Sequence, residues 1–406
     1  MINYVFLGFL ISEDNAKQLF SEDKFPAIQT YKFINKFVES LEMSNNCSIK
    51  YVSAQPTSLY PKNKRIFFKK KQYSIQISDK NVDVSEISFI NFSIFRIITR
   101  FLNSFFSLIK ILRQNKDTRI GIIVYSVHLP FMLTGVILSK LFKLQLIYLW
   151  TDPPSVSVSK NVLIKLMRKI EYIISKYLMN KGHRVIALTK YLAQDFATNK
   201  PNLIIEGFID SDDSRFSNSD NSYLCQDEII ITYTGSIVKN YGLNELVTAV
   251  SELDDKYRIK LNIYGRGDFE DDLIRLSKNS KKINYFGYLD FKEISKTQKK
   301  SDFLINTRSN DEYYSRYSFP SKILEYMMSG RPVITTFLDG MPEEYKNYLI
   351  IISDNNPETI KNKLIEISSL SLEDRYTIGQ NARNFALTKT TKSQSKKISD
   401  FINCKK

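Results

Sequence analysis

Phe319-Pro320-Ser321-Lys322-Ile323-Leu324-Glu325-Tyr326-Met327-Met328-Ser329-Gly330-Arg331-Pro332-Val333-Ile334 is the stretch from which the rest of the chain is read. Proline and serine open a helix, so the backbone donors of its first turn are free to point outward. Lys322 adds a charge suited to a diphosphate. Glu325 follows one turn later, where a carboxylate accepts two hydroxyls of a ribose. Gly330 stops the helix, and Arg331-Pro332 leads into an apolar run that reads as a strand. A helix feeding directly into a buried strand is a building block of a parallel sheet covered on both faces.

The same alternation extends in both directions. Upstream of the motif lie strands at 229–234, 259–264, 283–286 and 303–306, with helices at 243–253, 269–279 and 291–299 between them. The motif itself supplies a helix at 321–329 and a strand at 332–335, and helical patterns follow Pro357. The first half reads the same way: strands at 2–7, 49–53, 120–125, 144–149, 184–188 and 203–205, helices at 27–42, 130–141, 162–179 and 190–196. Between the halves, 207–226 is rich in Ser, Asp and Asn and reads as a linker. The chain is therefore expected to be α/β, with two doubly wound Rossmann-like domains. Residues 1–206 form the first, residues 227–387 the second, and a helix at about 388–406 is free to pack back onto the first. Ligands sit at the carboxyl ends of such strands, and two sheets facing across a cleft would hold two substrates.

Composition narrows the function classes. With 406 residues, 43% apolar and 25% charged, the chain is long enough for two cores and too apolar for disorder. No run approaches the ~20 apolar residues of a membrane span. The opening Met1–Val5 has no basic leader, so no signal peptide is expected. Cys47, Cys225 and Cys404 are far apart, which fits a reducing compartment rather than a disulfide framework or a metal motif.

The net charge of +15 is unevenly placed. Residues 1–200 hold 29 Lys/Arg against 13 Asp/Glu, whereas the remainder holds 29 against 30. Such a field draws something anionic: nucleic acid, a lipid surface or a phosphorylated substrate. Lys62, Lys64, Arg65, Lys69, Lys70 and Lys71 surround Ile66-Phe67-Phe68, and 87–116 contains no acid. Helical spacing from 94 to 112 puts Arg96, Arg100, Asn103, Ser107 and Lys110 on one face. It puts Ile98, Phe101, Leu102, Phe105, Leu108, Ile109 and Leu112 on the other. Two readings fit: a helix lying in a membrane interface, or an ordinary amphipathic helix packed on a sheet.

Two further turns carry glycine where backbone approaches phosphate. Tyr233-Thr234-Gly235-Ser236-Ile237-Val238-Lys239-Asn240-Tyr241-Gly242 links strand to helix, with Lys239 placed to neutralise an anion. Ile263-Tyr264-Gly265-Arg266-Gly267-Asp268 resembles half of a dinucleotide fingerprint. Each alone also fits a plain strand-to-helix turn.

Together with the Pro-Ser-Lys-x-x-Glu-Tyr helix, these turns make residues 229–345 resemble the donor half of the family 4 glycosyltransferases. Within that family, which has the GT-B fold, the nearest likeness is to the bacterial branch that builds capsule, exopolysaccharide and O-antigen. Ile205-Glu206-Gly207-Phe208-Ile209-Asp210 carries a fainter likeness at the junction. The resemblance implies that Gly235, Lys239 and Arg308 face the donor diphosphate, with Ser321 and Lys322 at the helix start. It implies that Gly265, Arg266, Gly267, Gly287 and Tyr288 cradle the nucleotide, and that Glu325 grips the ribose. The family's first glutamate falls at Tyr317, and the nearest acids are Asp311 and Glu312. The family's lysine and arginine at its first turn fall at Tyr241 and Ser236.

In the first half, Tyr125-Ser126-Val127-His128-Leu129-Pro130 ends a strand, and His128 resembles the family's histidine beside the donor sugar. A hydrogen-bonded structural histidine is the alternative. Asp152, in Trp150-Thr151-Asp152-Pro153-Pro154, would orient or deprotonate an acceptor hydroxyl, or simply form a turn before proline.

The expected function is transfer of a sugar from a nucleoside-diphosphate sugar, with UDP the expected carrier, to a lipid-linked glycan, with retention of configuration. No cofactor and no metal are expected. The expected location is cytoplasmic, peripheral at the inner face of the membrane and attracted to an anionic surface; nucleic acid is not an expected partner. The rival readings are a nucleotide-sugar epimerase on the same fold, for which histidines are scarce, and a basic nucleic-acid binder, which leaves the Pro-Ser-Lys-x-x-Glu helix unexplained.

Overall fold

Short β-branched and aromatic runs separated by helices of amphipathic period assemble into two sheets. The computed structural model describes residues 3–44, 48–114, 120–154, 162–210, 227–310 and 315–404. The chain divides into two units, Met1–Phe208 with Thr391–Lys406, and Ile209–Thr390. Cys47, Cys225, Asp311, Glu312 and most of the 207–226 stretch lie outside the described residues.

The second unit is a six-stranded parallel sheet. Across it the strands run Ile283–Tyr285, Ile259–Arg266, Ile229–Ser236, Phe303–Asn306, Val333–Thr336 and Ile350–Ile352. In chain order this is 3-2-1-4-5-6, so the order reverses between Ile229–Ser236 and Phe303–Asn306. Ligands of such sheets bind outside the carboxyl ends at that reversal. Ile231, Tyr233, Leu261, Ile263, Phe303 and Ile305 fill the core with Leu246, Val250, Leu273 and Leu364 from the covering helices. Burial of both sheet faces is why these strands read as continuous apolar runs. Asp302 anchors the opposite, amino edge: it accepts from the Ile230 amide at 2.8 Å and pairs with buried Arg375 at 3.0 Å.

The first unit carries eight strands in the order Asn202–Ile204, Arg184–Ala187, Gln145–Trp150, Ile120–Tyr125, Asn3–Gly8, Ile49–Ser53, Lys80–Glu86 and Lys71–Ile77. All neighbours are parallel except the last pair, a hairpin at the edge. Here the order reverses between Ile120–Tyr125 and Asn3–Gly8. Helix Thr391–Asn403 packs against helix Ile28–Ser44 of this unit. The Tyr4 hydroxyl donates to the Ile402 carbonyl at 2.7 Å, and Arg184 donates to the carbonyls of Phe401 and Cys404.

The hairpin, helix Glu13–Glu22 and strand Ile350–Ile352 are additions to the elements read from sequence. A correction concerns helix Ser93–Gln114. Spacing put Arg100 on a polar face with Arg96 and Lys110, and Phe101, Phe105, Leu108 and Leu112 together on the opposite one. The helix instead buries Arg100, Ser104, Leu108 and Leu112, leaves Phe101 and Phe105 half-buried, and exposes Phe95, Ile98, Leu102 and Phe106. Hydrogen bonds let polar groups share the buried side with Leu108 and Leu112. The Arg100 guanidinium lies 4.0 Å from the Phe89 ring centre and donates to the Gln55 carbonyl at 2.7 Å. The Ser104 and Thr134 hydroxyls bond at 2.8 Å, and Asn103 donates to the Ser88 carbonyl at 2.8 Å. Arg65, read as part of a free basic cluster, pairs with Glu22 at 2.7 Å, whereas Lys69, Lys70 and Lys71 are exposed.

Candidate functional site

The second sheet's reversal is where its candidate residues converge. Pairing between Ile229–Ser236 and Phe303–Asn306 ends at Thr232↔Leu304. Beyond it the Tyr326 hydroxyl takes over from the ladder, accepting from the Thr234 amide at 2.8 Å and donating to the Thr234 carbonyl at 2.9 Å. This hydroxyl seats helix Ser321–Met328 on the strand and brings Lys322 against the Gly235 backbone. A Cβ at Gly235, where φ is +140°, would fall 1.4 Å from Lys322 Nζ. Gly242, at φ +75°, is equally required, because a Cβ there would meet the Thr307 carbonyl oxygen at 1.9 Å. The Thr307 hydroxyl donates back to the Gly242 carbonyl at 2.8 Å, tying the turns on either side of the reversal together.

Burial pulls the Lys322 ammonium down to about 8; Glu325 opposes that pull and Arg308 adds to it. Arg308 packs 4.9 Å from the Tyr241 ring centre. The Glu325 carboxylate accepts from Gln298 at 2.8 Å, and the same amide group reaches the Thr234 hydroxyl at 3.1 Å. The arrangement is a desolvated cation beside open backbone, with a held carboxylate one turn away. Such a cation attracts a diphosphate more strongly than a hydrated one does.

Beside it lies a second cluster. The Gly265 amide donates to the Gly287 carbonyl at 2.8 Å, and the Tyr285 hydroxyl donates to the Gly265 carbonyl at 2.8 Å. Tyr264 and Phe286 stack at 4.9 Å, and Arg266 lies 4.9 Å from the Tyr288 ring centre. Phe286 and Tyr288 are exposed, offering flat apolar surface to a base. Gly267 packs on the Ile237 carbonyl. Ser321 is exposed in the first helical turn. Lys239 is exposed as well; its amide donates to Asp268, and the cation against Gly235 is Lys322. Tyr317 is buried.

Gln298 and the Tyr326 hydroxyl were not singled out from sequence. Gln298 sits in Lys296-Thr297-Gln298-Lys299-Lys300, which looks solvated, yet it is fully buried. Its only signal is that it stands three residues after Ser295, on the inward face of helix Phe291–Lys299.

At the first unit's reversal, His128 caps helix Leu129–Leu141 and packs on Phe9 and Phe131. Arg100 Nη1 lies 3.3 Å from His128 Nε2. A guanidinium only donates, so Nε2 accepts and the neutral ring carries its proton on Nδ1. Burial, then Arg100 and Arg96, hold the imidazole well below its usual range. Arg96 donates to the Thr57 carbonyl at 3.0 Å and is drawn down to about 10, by burial first and then by Arg168. Asp152 is exposed at the end of Gln145–Trp150, accepting from the Thr151 hydroxyl at 2.7 Å, which in turn meets the Tyr125 hydroxyl at 3.0 Å. Among the described residues no hydrogen bond joins His128 to Asp152, and no three His, Cys, Asp or Glu side chains gather as a metal site.

Residues 215–385 match the family model described as glycosyl transferases group 1. No curated protein matches the sequence. Among solved structures, the chain is similar to one from E. coli described as trehalose-6-phosphate bound with UDP-2-fluoro glucose (TM-score 0.65, 9% identity, covering 99% of this chain and 100% of that one). It is similar to the lipopolysaccharide outer core galactosyltransferase WaaB in its apo form (TM-score 0.64, 13% identity, 99% of both chains). It is also similar to Anabaena HepE in complex with UDP (TM-score 0.55, 15% identity, 99% of both chains). The shared fold is GT-B, with two Rossmann-like units.

Proposed function

We propose that this chain, a GT-B glycosyltransferase, moves a sugar from a UDP-linked donor to a lipid-linked glycan acceptor with retention of configuration. The carrying observation is the half-buried Lys322, its ammonium packed against the Gly235 backbone at the sheet reversal with Glu325 one turn behind it. UDP as the carrier is supported by the similar structures, which hold UDP or a UDP sugar. In this reading Lys322, Arg308, Lys239 and the first turn at Ser321 bind the diphosphate. Glu325, oriented by Gln298, binds the ribose. The Gly265–Gly267 turn with Gly287 and Tyr288 receives the base.

The bond from the anomeric carbon to the diphosphate oxygen breaks, and its electron pair leaves with the diphosphate, whose charge those cations stabilise. The acceptor oxygen attaches to the same face of the sugar. Asp152 orients the acceptor hydroxyl, whose proton passes to the departing diphosphate. His128, donating through Nδ1, acts at the sugar during transfer. The product belongs to bacterial surface polysaccharide, made at the inner face of the cell membrane. Incubation with a panel of nucleotide sugars, followed by release of nucleoside diphosphate, tests the reading. One UDP sugar should be consumed, with the anomeric configuration kept in the product. Failure of UDP to bind, or interconversion of the sugar without release of UDP, would overturn it.

A further inference from the structure

Two helices of the first unit turn apolar stripes to solvent. Helix Ser93–Gln114 exposes Phe95, Ile98, Leu102 and Phe106, the last at 62%. Helix Val162–Met179 exposes Leu166, Ile170, Ile173 and Tyr177, the last at 61%. The spacings of three and four residues make each stripe a continuous helical face. Both helices pack against helix Leu129–Leu141, which is buried along most of its length. Arg96 on one lies in the field of Arg168 and Glu171 on the other, so the two are neighbours at that end. The two helices carry eight Lys or Arg, of which Arg100 is buried, against a single acid, Glu171, which is paired with Arg168 at 3.5 Å. Lys110, Lys165, Lys169 and Lys176 are exposed beside the apolar residues.

We infer that this two-helix face lies in the plane of an anionic lipid bilayer, with the apolar stripes at the acyl boundary and the lysines among phosphate headgroups. The inference rests on the proposed lipid-linked acceptor and identifies the surface that would bring the enzyme to it. Charge complementarity selects the occupant. A second copy of this chain would oppose like charge, whereas a headgroup layer supplies the missing anions. Among the described residues no helix is long and apolar enough to cross a membrane, so the contact is interfacial. Each lysine near such a surface strengthens binding about fivefold.

The test uses the full chain and two kinds of vesicle, phosphatidylcholine alone and phosphatidylcholine mixed with phosphatidylglycerol. Co-sedimentation should be at least tenfold stronger with the anionic vesicles and fall with salt. I170E with Y177E, and separately F106E, should each weaken it about tenfold or more. K165E with K169E should weaken it without changing the oligomeric state. Lipid-free release of UDP from the donor should persist in every variant, because none touches the second unit's site. Unchanged vesicle binding in the variants overturns the inference, as does a wild-type dimer that I170E with Y177E converts to monomer. Loss of UDP release in the wild type would instead strike the proposed function and leave the vesicle result standing.

Discussion

The two sheet reversals handle positive charge differently. In the second unit the cation is a lysine with Glu325 one turn away, and it titrates near 8. In the first it is Arg100, 2% exposed, whose hydrogen-bond partners are the Gln55 carbonyl and an imidazole. Burial also pushes Arg100 down, but a guanidinium keeps its proton, so its field acts on His128. One site therefore adjusts the charge of its own cation. The other keeps a fixed cation and holds its neighbour neutral. The first arrangement suits a ligand that brings two negative charges; the second suits a neutral hydrogen-bond donor.

Lys322 gives the largest expected effect. Lys322→Ala should lower kcat/KM by about 10²–10³, the loss found when one donor to a developing anion is removed. Nucleoside affinity should barely change. Equal losses for nucleoside and nucleoside diphosphate would break the contrast. The same lysine gives a pH signature in the wild type. Below about 8 the ammonium is charged, so calorimetric affinity for the diphosphate should fall as pH rises through 8. Glu325→Ala should weaken nucleoside binding by about 10- to 100-fold, the range for hydrogen bonds to a charged group. Gln298→Leu should reproduce part of that loss.

Tyr326→Phe should cost about 1–3 kcal/mol in urea unfolding, because it strands the Thr234 amide and carbonyl. A cost near zero would show that the strands close without the hydroxyl. The smallest effect is the pH dependence that His128 gives to stability. Its ring is neutral in the fold and protonates below about 6.5 once unfolded. Stability from this group is thus present above that pH and lost as pH falls through it, at no more than about 1.4 kcal/mol per unit. His128→Gln should flatten that slope.

Much of the second unit was legible because its strands are buried on both faces and its turns need glycine. Phe303–Asn306 and helix Phe291–Lys299 match the sequence reading to the residue. Helix Val162–Met179 was equally legible in extent, but its solvent-facing apolar stripe was not. Periodicity separates two faces of a helix without saying which one goes inside, and in Ser93–Gln114 the buried side takes Arg100 and Ser104 together with Leu108 and Leu112. Strand Lys71–Ile77 escaped because edge strands alternate Tyr73, Ile75 and Ile77 with polar residues, and a run of lysines precedes them. Glu325 was visible in Pro-Ser-Lys-x-x-Glu as a carboxylate one turn after Lys322, but its hydrogen-bond partner Gln298 arrives from a separate helix through tertiary contact alone.

Helix Thr391–Asn403, packed on Ile28–Ser44 of the first unit, sets an order of assembly. During synthesis the strand holding Tyr4 precedes its partner carbonyl, Ile402, by 398 residues. Residues 209–390 are all available before that. The unit that begins first is therefore the one completed last, and the apolar side of Ile28–Ser44 stays uncovered until residue 403 has left the ribosome.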